Sequence, residues 1–409
     1  MPRALNDKKT LEHAKKVLST YKICDHCLGR IFAHVEKGKL NQNRGSTLRK
    51  HLKHHKKIKV KDCWLCNGLL DEIPHFVDLI SDSLEDYEFD NFLIGSKVDE
   101  DVIGREQEIW KFAGSDYAES IKTELNREIG KILEGKLQKE VNFEKPTIMA
   151  VIDTAFDVVN LQITSLFIYG RYNKYVRDIP QTRWFCKICR GKGCRHCNYT
   201  GKLYENSVEE LVAQPFIEQT CGTNKSFHGC GREDIDVRML GNGRPFVLEI
   251  KNPKYRLLEL SKIEDLINVQ NKGVIEVNNL RFSDRNEIVR IKNAAFRKIY
   301  RIVFKSEKPV NSGKLKKAIQ VLRSKAVGQQ TPSRVAHRRA NMVREKQIYN
   351  CNIEAIDGAM ATLTLEAESG TYIKELVSGD DEKTKPNLSE LIGTPCNVTA
   401  LDVIEIKGE

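Results

Sequence analysis

Eight cysteines arranged as four C-x-x-C pairs constrain this chain more than any other feature of its sequence. The pairs are Cys24/Cys27, Cys63/Cys66, Cys186/Cys189 and Cys194/Cys197. Two residues between ligands allow a tight turn to present both sulfurs to one ion, and two such turns complete a closed tetrahedral zinc site. The sequence therefore predicts two zinc ions with a structural role, because four protein ligands leave no open position for catalysis.

The two predicted sites differ in how locally they can close. The later set is compact and has Gly191, Gly193 and Gly201 at its turns, so its four cysteines pair most simply with one another. The two earlier pairs are separated by 35 residues, so the fold must bring them together. The alternative for any C-x-x-C is a redox pair, but no thioredoxin-like βαβ pattern surrounds these cysteines.

Composition indicates a soluble globular protein and leaves a polyanionic partner open. The chain has 409 residues, of which 40% are hydrophobic and 30% charged, which suggests two to four domains. Its net charge of +11 favours nucleic acid as a partner, but also fits a basic protein without one. The sequence begins with no leader-like apolar segment, and no stretch approaches the roughly 18 apolar residues of a membrane span. We therefore expect a cytoplasmic protein with no membrane association, in a reducing compartment where paired cysteines bind metal.

Local patterns predict a basic segment followed by mixed helices and strands. Lys37–Lys61 contains ten Lys/Arg, three His and no acidic residue, which is typical of either a solvated helix face or a phosphate-facing surface. Apolar residues have helical spacing over Asp101–Leu133. The predicted strands are Phe92–Gly95, Thr147–Ile152, Val158–Ile168, Phe246–Ile250, Val274–Val277, Ile299–Phe304 and Ala361–Glu366.

Residues suited to chemistry concentrate in a few strings. Gly231–Phe246 begins with a loop rich in Arg and Asp, and Arg232 near Asp234 would keep that carboxylate ionised, as a nucleophile or base requires. An ordinary surface turn with ion pairs is the alternative for this loop. Gly370–Leu376 holds an aromatic ring and a cation two residues apart, and Gln329–Arg339 is a basic loop suited to an RNA backbone.

These strings together resemble the archaeal branch of the tRNA pseudouridine synthase family called Pus Ten. The segments that carry the resemblance are Ile168–Tyr175, Ser207–Leu211, Gly231–Phe246, Gln330–Arg339 and Gly370–Lys374. The additional cysteine pairs between 186 and 197 are similar to those of the archaeal members. The resemblance extends over most of the chain, from the first cysteine pair to the C-terminus.

The resemblance implies an α+β protein with three parts. These are an N-terminal zinc-binding basic segment at 1–67, a THUMP-like α/β accessory RNA-binding domain at 68–175, and a pseudouridine synthase catalytic domain at 176–409. The catalytic domain is expected to contain a mixed, largely antiparallel central sheet. It would also carry a zinc-bearing forefinger loop at 181–204 and a thumb loop at 328–340.

The same resemblance assigns roles to individual residues. Asp234 matches the catalytic aspartate, with Asp236 as a rival two residues later. Tyr300 matches the tyrosine that stacks on the flipped uracil, and Tyr372 the one packed behind it. Lys374 stands where many other pseudouridine synthases carry an arginine, which permits an ion pair with Asp234 but no bidentate fork. Arg232 completes the expected substrate-binding set, and the expected RNA contacts in the thumb loop are Arg334, His337, Arg338 and Arg339.

The implied reaction converts uridines 54 and 55 of the tRNA T arm to pseudouridine without an organic cofactor. Asp234 would attack the base, attack the ribose or remove a ribose proton. The expected partner is tRNA, and no obligate protein partner is expected. The main alternative is a non-catalytic zinc-containing tRNA-binding protein. A J-protein-like chaperone module lacks its apolar peptide-binding context here, and a nucleotide-dependent tRNA enzyme lacks its Gly-rich loop.

Overall fold

The structure is a computed structural model that describes residues 4–36, 38–54, 56–335 and 340–408. The chain divides into two compact units. The first runs to Thr164 and includes Lys254–Arg256, and the second contains Ser165–Pro253 and the chain from Leu257 onward. Within the described ranges, no helix is both long and apolar enough to cross a membrane.

In its described residues, the first unit packs six helices with a four-stranded sheet of order β2-β1-β3-β4. Strand β1 is parallel to β2 and β3, and β4 is antiparallel to β3. Its helices are α1 (Lys8–Thr20), α2 (Asp25–Ile31), α3 (Asn41–His51), α4 (Ile73–Leu84), α5 (Glu100–Ala113) and α6 (Ile121–Leu137). Its strands are β1 (Asn91–Lys97), β2 (Glu140–Val141), β3 (Ile148–Asp153) and β4 (Val158–Ile163), and short 3-10 turns lie at Val60–Asp62 and Leu69–Asp71.

Two glycines allow α2 and α3 to lie in close contact. A Cβ at Gly29 would lie 1.8 Å from the carbonyl oxygen of Asn41, and one at Gly45 would lie 1.9 Å from that of Asp25. Only a residue without a side chain fits at such distances. This helix pair contains part of the basic run, and Arg49 is buried there with Nε 2.6 Å from Asp25 Oδ1. Part of the predicted basic surface therefore stabilises the fold instead of facing solvent.

The helical spacing over Asp101–Leu133 corresponds to two helices. Gly114 follows α5 with a φ of +82°, a conformation that favours glycine and ends the helix. Ser120 then caps α6, because its side chain accepts a hydrogen bond from the Thr123 amide. The apolar periodicity continues across the break because both helices contribute to the same core, so spacing alone did not reveal it.

The second unit is built around an eight-stranded sheet of order β12-β13-β9-β15-β7-β5-β8, with β6 paired to β7. Its strands are β5 (Leu166–Lys174), β6 (Asn224–Gly229), β7 (Arg238–Lys251), β8 (Ile275–Ser283), β9 (Lys298–Ser306), β10 (Val327–Gln330), β11 (Val343–Lys346), β12 (Ile348–Asp357), β13 (Met360–Ala367), β14 (Thr384–Lys385) and β15 (Cys396–Ile406). Its helices are α7 (Val208–Thr220), α8 (Leu260–Gln270), α9 (Arg285–Asn293), α10 (Ser312–Ser324), α11 (Ile373–Ser378) and α12 (Leu388–Ile392), with 3-10 turns at Arg195–Cys197 and Ser333–Val335.

The sheet is mixed and largely antiparallel, as predicted. The β15–β7 pair is parallel and the other described pairs of this sheet are antiparallel. In β9, Tyr300, Ile302 and Phe304 alternate with Arg301 and Lys305, so one face is buried and the other exposed. A small separate sheet of order β11-β10-β14 flanks the 3-10 turn at 333–335.

The border between the units differs from the sequence expectation. The run Val158–Ile168 was expected to belong to one region ending near Tyr175. The structure instead ends β4 at Ile163 and places β5 between β7 and β8 in the large sheet. Alternating apolar residues continue through both strands, and hydrogen-bond partners far along the chain decide which sheet each joins.

Candidate active site and metal centres

A cavity of about 300 Å³ in the second unit brings together most of the predicted site residues. Its lining comes from the loop before β7, from β9, from the 333–335 turn and from the start of α11. The predicted residues that line it are Arg232, Asp234, Tyr300, Arg334, Tyr372 and Lys374. The volume lies at the lower end of the range for small-molecule sites.

The cavity distinguishes the two candidate aspartates. Asp234 lines it together with Tyr300, whereas Asp236 lines only an adjoining cavity. Lys374 Nζ lies 2.8 Å from both carboxylate oxygens of Asp236 but 3.5 Å from Asp234 Oδ2. The hydrogen bond and positive charge of Lys374 lower the pKa of Asp236, against the opposing effect of burial. The predicted Lys374–Asp234 pair is therefore present as the longer of two contacts.

Arg334 makes the closest contact to Asp234. Its Nη1 lies 2.7 Å from each carboxylate oxygen of Asp234, while Nε and Nη2 lie 2.5 and 3.1 Å from the two oxygens of Glu375. Burial opposes the charged form, but the two carboxylates more than compensate and raise the pKa of Arg334. Arg334 was expected to contact the RNA backbone, and in the structure its guanidinium contacts these two carboxylates.

Buried polar side chains support the loop that carries Asp234. Glu233 Oε2 lies 2.8 Å from Arg244 Nε in a pair that is almost wholly buried, and the Tyr172 hydroxyl donates to Glu233 Oε1 at 2.8 Å. Lys174, fully buried, donates to the carbonyl oxygens of Ile179 and Ile235 at 2.8 and 2.9 Å. These contacts connect strands β5 and β7 to the loop and fix its backbone.

Tyr300 and Tyr372 present aromatic rings to the cavity. Burial raises the pKa of Tyr300 to about 12 despite the positive charge of Arg244, and Asp234 adds to the rise. The phenol therefore stays protonated near neutral pH. The Tyr372 backbone is held by Gln329, whose side-chain amide accepts from its N–H at 2.8 Å and donates to its carbonyl at 2.9 Å.

The other predicted residues are placed less directly. The Arg232 guanidinium lies over the Trp184 ring, 5.4 Å from its centroid, at the base of the predicted forefinger loop. His337, Arg338 and Arg339 lie outside the described residues. Sequence reasoning missed Glu375 and the Glu233–Arg244 pair, because no local pattern distinguishes a glutamate with a distant partner from a solvated one.

The first cysteine set forms a cluster of four thiols in the core of the first unit. Cys24, Cys27, Cys63 and Cys66 are all buried, and their ligand sulfurs lie within 4.8 Å of one another. The Cys24 and Cys66 sulfurs are 3.9 Å apart. Zn–S bonds of about 2.3 Å place sulfurs about 3.8 Å apart in a tetrahedral site. The cluster therefore fits a closed four-sulfur metal site.

The second set forms a compact knuckle between β5 and α7. The Cys186–Cys194, Cys189–Cys197 and Cys194–Cys197 sulfurs are 3.9, 3.8 and 3.7 Å apart. Backbone amides of Gly193 and Gly201 each donate to a cysteine sulfur at 3.2 Å. The local pairing predicted for these cysteines is the one that the structure has.

Family comparisons cover both units. The family described as "Pus10, C-terminal" (the Pus Ten family above) matches residues 167–407, and the one described as "Pus10 THUMP domain, archaeal" matches residues 76–153. Part of a solved Cbf5-Nop10-Gar1 complex is similar to 49% of this chain and 45% of that chain at 15% identity, with a TM-score of 0.28, which is too low to support an argument.

Several curated relatives are similar over nearly their full length, and each is named tRNA pseudouridine synthase Pus10. The protein of Halorubrum lacusprofundi is 38% identical over 98% of this chain and 96% of its own length. The protein of Methanothermobacter marburgensis is 40% identical over 94% of this chain and 95% of its own length. The protein of Methanocaldococcus jannaschii is 39% identical over 96% of this chain and 93% of its own length. The chain therefore belongs to the Pus10 family of tRNA pseudouridine synthases.

Proposed function

We propose that this pseudouridine synthase isomerises uridines 54 and 55 of the tRNA T arm, with Asp234 as the catalytic carboxylate and Tyr300 stacked on the flipped uracil. The C1′–N1 bond of the uridine breaks, the base rotates, and a C1′–C5 bond forms; C5 then loses a proton and N1 gains one, so the product has the composition of the substrate. The reaction is an isomerisation, so it consumes no oxidant, reductant or co-substrate. Asp234 assists cleavage by attacking the base, attacking the ribose or removing a ribose proton.

The observation that carries the proposal is the shared cavity of Asp234 and Tyr300. An ionisable carboxylate beside a neutral aromatic ring suits a flipped pyrimidine, because the ring stacks on the base while the carboxylate reaches the sugar or base edge. Tyr372 extends the aromatic lining. The preference for Asp234 over Asp236 follows from the position of Asp236 outside this cavity.

The charge around the cavity favours a polyanionic substrate. Five cationic side chains line it against two carboxylates; the cations are Arg232, Arg244, Lys298, Arg334 and Lys374. Glu375 and Asp236 neutralise part of this charge from outside the lining, and the remaining positive charge suits the phosphates that flank a flipped nucleotide. We propose that His337, Arg338 and Arg339 also bind phosphates of the RNA backbone, since they closely follow the lining residue Val335 in the sequence.

Zinc is proposed as the metal of both four-cysteine clusters, with one ion in each. Four sulfur ligands at tetrahedral spacing suit this ion and leave it no open position, so it would stabilise structure and take no part in the reaction. The first cluster would hold the loop after α3 against the core. The second would stiffen the segment that contains Trp184, beside the active site.

One assay tests the catalytic assignment. Purified protein should form pseudouridine in unmodified tRNA with no cofactor added, measured at each position of the T arm. Asp234→Ala should reduce the product below detection, because the carboxylate is lost, while the Kd for tRNA changes only slightly. Asp236→Ala is the matched comparison and should retain product, since this carboxylate lies outside the Tyr300 cavity.

Two results would count against the proposal. Normal product from Asp234→Ala would remove this residue from the mechanism. Wild-type protein that binds tRNA tightly but yields no pseudouridine at either position would instead favour the non-catalytic tRNA-binding alternative. Product at one position alone would narrow the substrate without changing the catalytic residue.

A further inference from the structure

The Arg334 guanidinium bridges two carboxylates that lie far apart in the sequence. Nε and Nη2 lie alongside Glu375, and Nη1 alone contacts both oxygens of Asp234. Glu375, in the first turn of α11, has only 6% of its side chain exposed, against 26% for Asp234. Arg334 is therefore held on one side by the buried Glu375, and on the other side it contacts Asp234, which lines the cavity.

The geometry at Asp234 is suited to orienting a reactive carboxylate. A single nitrogen centred between two oxygens at 2.7 Å restricts rotation of the carboxylate about its Cβ–Cγ bond. Each oxygen accepts only one of these hydrogen bonds and has a second lone pair. Asp234 can therefore be held in one orientation and still react through its outer lone pairs.

The neighbouring Lys374 lies farther from Asp234 than Arg334 does. Lys374 is closer to Asp236, at 2.8 Å, than to Asp234, at 3.5 Å. The Arg232 side chain extends to the Trp184 ring. Arg334 thus contacts both oxygens of the Asp234 carboxylate at 2.7 Å, whereas Lys374 lies 3.5 Å from Oδ2.

We propose that Arg334 and Glu375 are positioning residues for the reaction: Arg334 orients the Asp234 carboxylate, and Glu375 acts through Arg334 by holding its guanidinium in place. The inference rests on the proposed role of Asp234. It gives Arg334 a role inside the active site, and it gives Glu375 a part in the reaction although Glu375 contacts no substrate. A correctly oriented carboxylate reacts faster because less reorganisation precedes the reaction.

The test compares single-turnover rates at saturating enzyme, together with the Kd for unmodified tRNA. The variants are Arg334→Met, Arg334→Lys, Glu375→Gln, the double variant Arg334→Met/Glu375→Gln, and Asp234→Asn. Arg334→Lys retains the charge, so it addresses function even if a neutral replacement impairs folding. The matched controls are Arg301→Met and Glu354→Gln, which interrupt an exposed Arg–Glu pair with Nε 2.8 Å from Oε2, on the face of β9 opposite Tyr300.

We expect Arg334→Met to slow the single-turnover rate by roughly 100-fold, the scale of a misplaced catalytic group. Glu375→Gln should slow it by about 10-fold and Arg334→Lys by an amount between these, because an ammonium cannot contact both carboxylates in the same way. The Kd for tRNA should change by less than about 3-fold, and the controls should stay within about 2-fold in rate. The double variant should match Arg334→Met, since Glu375 has no route to Asp234 without Arg334.

Three outcomes would overturn the inference while leaving the role of Asp234 intact. One is a wild-type rate in Arg334→Met and Glu375→Gln when Asp234→Asn is inactive. Another is a normal single-turnover rate for Arg334→Met at saturating enzyme together with a raised Kd for tRNA, which would assign Arg334 to RNA backbone contact. The third is a double variant whose losses multiply, because independent contributions exclude action of Glu375 through Arg334. An active Asp234→Asn would instead refute the proposed function itself.

Discussion

Tyr300 occupies its position in the candidate active site because of its place in β9. Its backbone pairs with Leu365 on one side and Val403 on the other, and its side chain is 8% exposed. With a pKa raised by burial to about 12, its phenol is neutral at working pH. The ring therefore offers a π-face at a fixed position, which is what stacking on an everted base requires.

Replacement of the Tyr300 ring should weaken binding of the flipped uracil. Tyr300→Leu retains apolar volume but removes stacking, worth about 1–3 kcal/mol per base, so the rate at subsaturating tRNA should fall roughly 5- to 150-fold. Tyr349→Leu is the control, because Tyr349 is a partly exposed tyrosine on β12. The rate of pseudouridine formation at limiting tRNA is measured for Tyr300→Leu and for Tyr349→Leu. Equal rates for Tyr300→Leu and wild type would show that the ring makes no contact that matters to the reaction.

At the scale of elements, the two cysteine clusters stabilise different kinds of structure. Cys24 and Cys27 flank the start of α2, and all four sulfurs of their cluster are buried in the core of the first unit. The second cluster closes a loop whose Ile188 and Tyr199 are largely exposed. Loss of metal should therefore perturb a core in one case and a surface loop in the other.

Metal content and thermal stability test this difference. Wild-type protein should contain two zinc ions per chain, and Cys24→Ser and Cys194→Ser should each contain about one. Cys24→Ser should lower the Tm more than Cys194→Ser, because its cluster is part of a packed core. Cys221→Ser is the control, since Cys221 is exposed and belongs to neither cluster. Elemental analysis measures the zinc content, and melting curves measure the Tm. A zinc content near zero in the wild-type protein, or a lower Tm for Cys194→Ser than for Cys24→Ser, would contradict the assignment.

At the scale of the whole molecule, Asp402 connects the C-terminal strand to the rest of the large sheet. It is 4% exposed, with Oδ1 2.7 Å from Arg177 Nη2 and Oδ2 2.6 Å from Arg238 Nη2. Burial alone would raise the pKa of Asp402, but the hydrogen bonds and charges of Arg238 and Arg177 lower it. Its ionised form therefore stabilises the parallel β15–β7 pairing.

This linkage predicts a pH dependence of stability. Because the pKa of Asp402 is lower in the folded state, its contribution is fully present above the unfolded value of about 3.9 and disappears as pH falls through the folded value. Urea denaturation should show wild type more stable than Asp402→Asn at pH 7, with the difference decreasing below about pH 4. A difference that stays constant from pH 7 down to pH 3 would mean that the carboxylate charge is not responsible.

Much of the architecture was accessible from local sequence patterns. The predicted strand Ile299–Phe304 is the core of β9, and Ala361–Glu366 lies within β13, because alternation of apolar residues reflects burial of one strand face. The compact cysteine knuckle also followed from spacing alone. Patterns did not reveal the break between α5 and α6, or the membership of β5 in the large sheet.

The sequence by itself determined the compact cysteine cluster at 186–197, several of the strands and the family, since each is recorded in short stretches of chain. The first cysteine cluster needed the fold, because its two pairs lie 35 residues apart. Tertiary structure alone decided that Arg334 pairs with Asp234, 100 residues away, and with Glu375, 41 residues away. It also decided that Lys374 contacts Asp236 more closely than Asp234. Contacts of this kind depend on how distant loops meet at the end of a sheet, and no spacing between residues encodes the distance between two such loops.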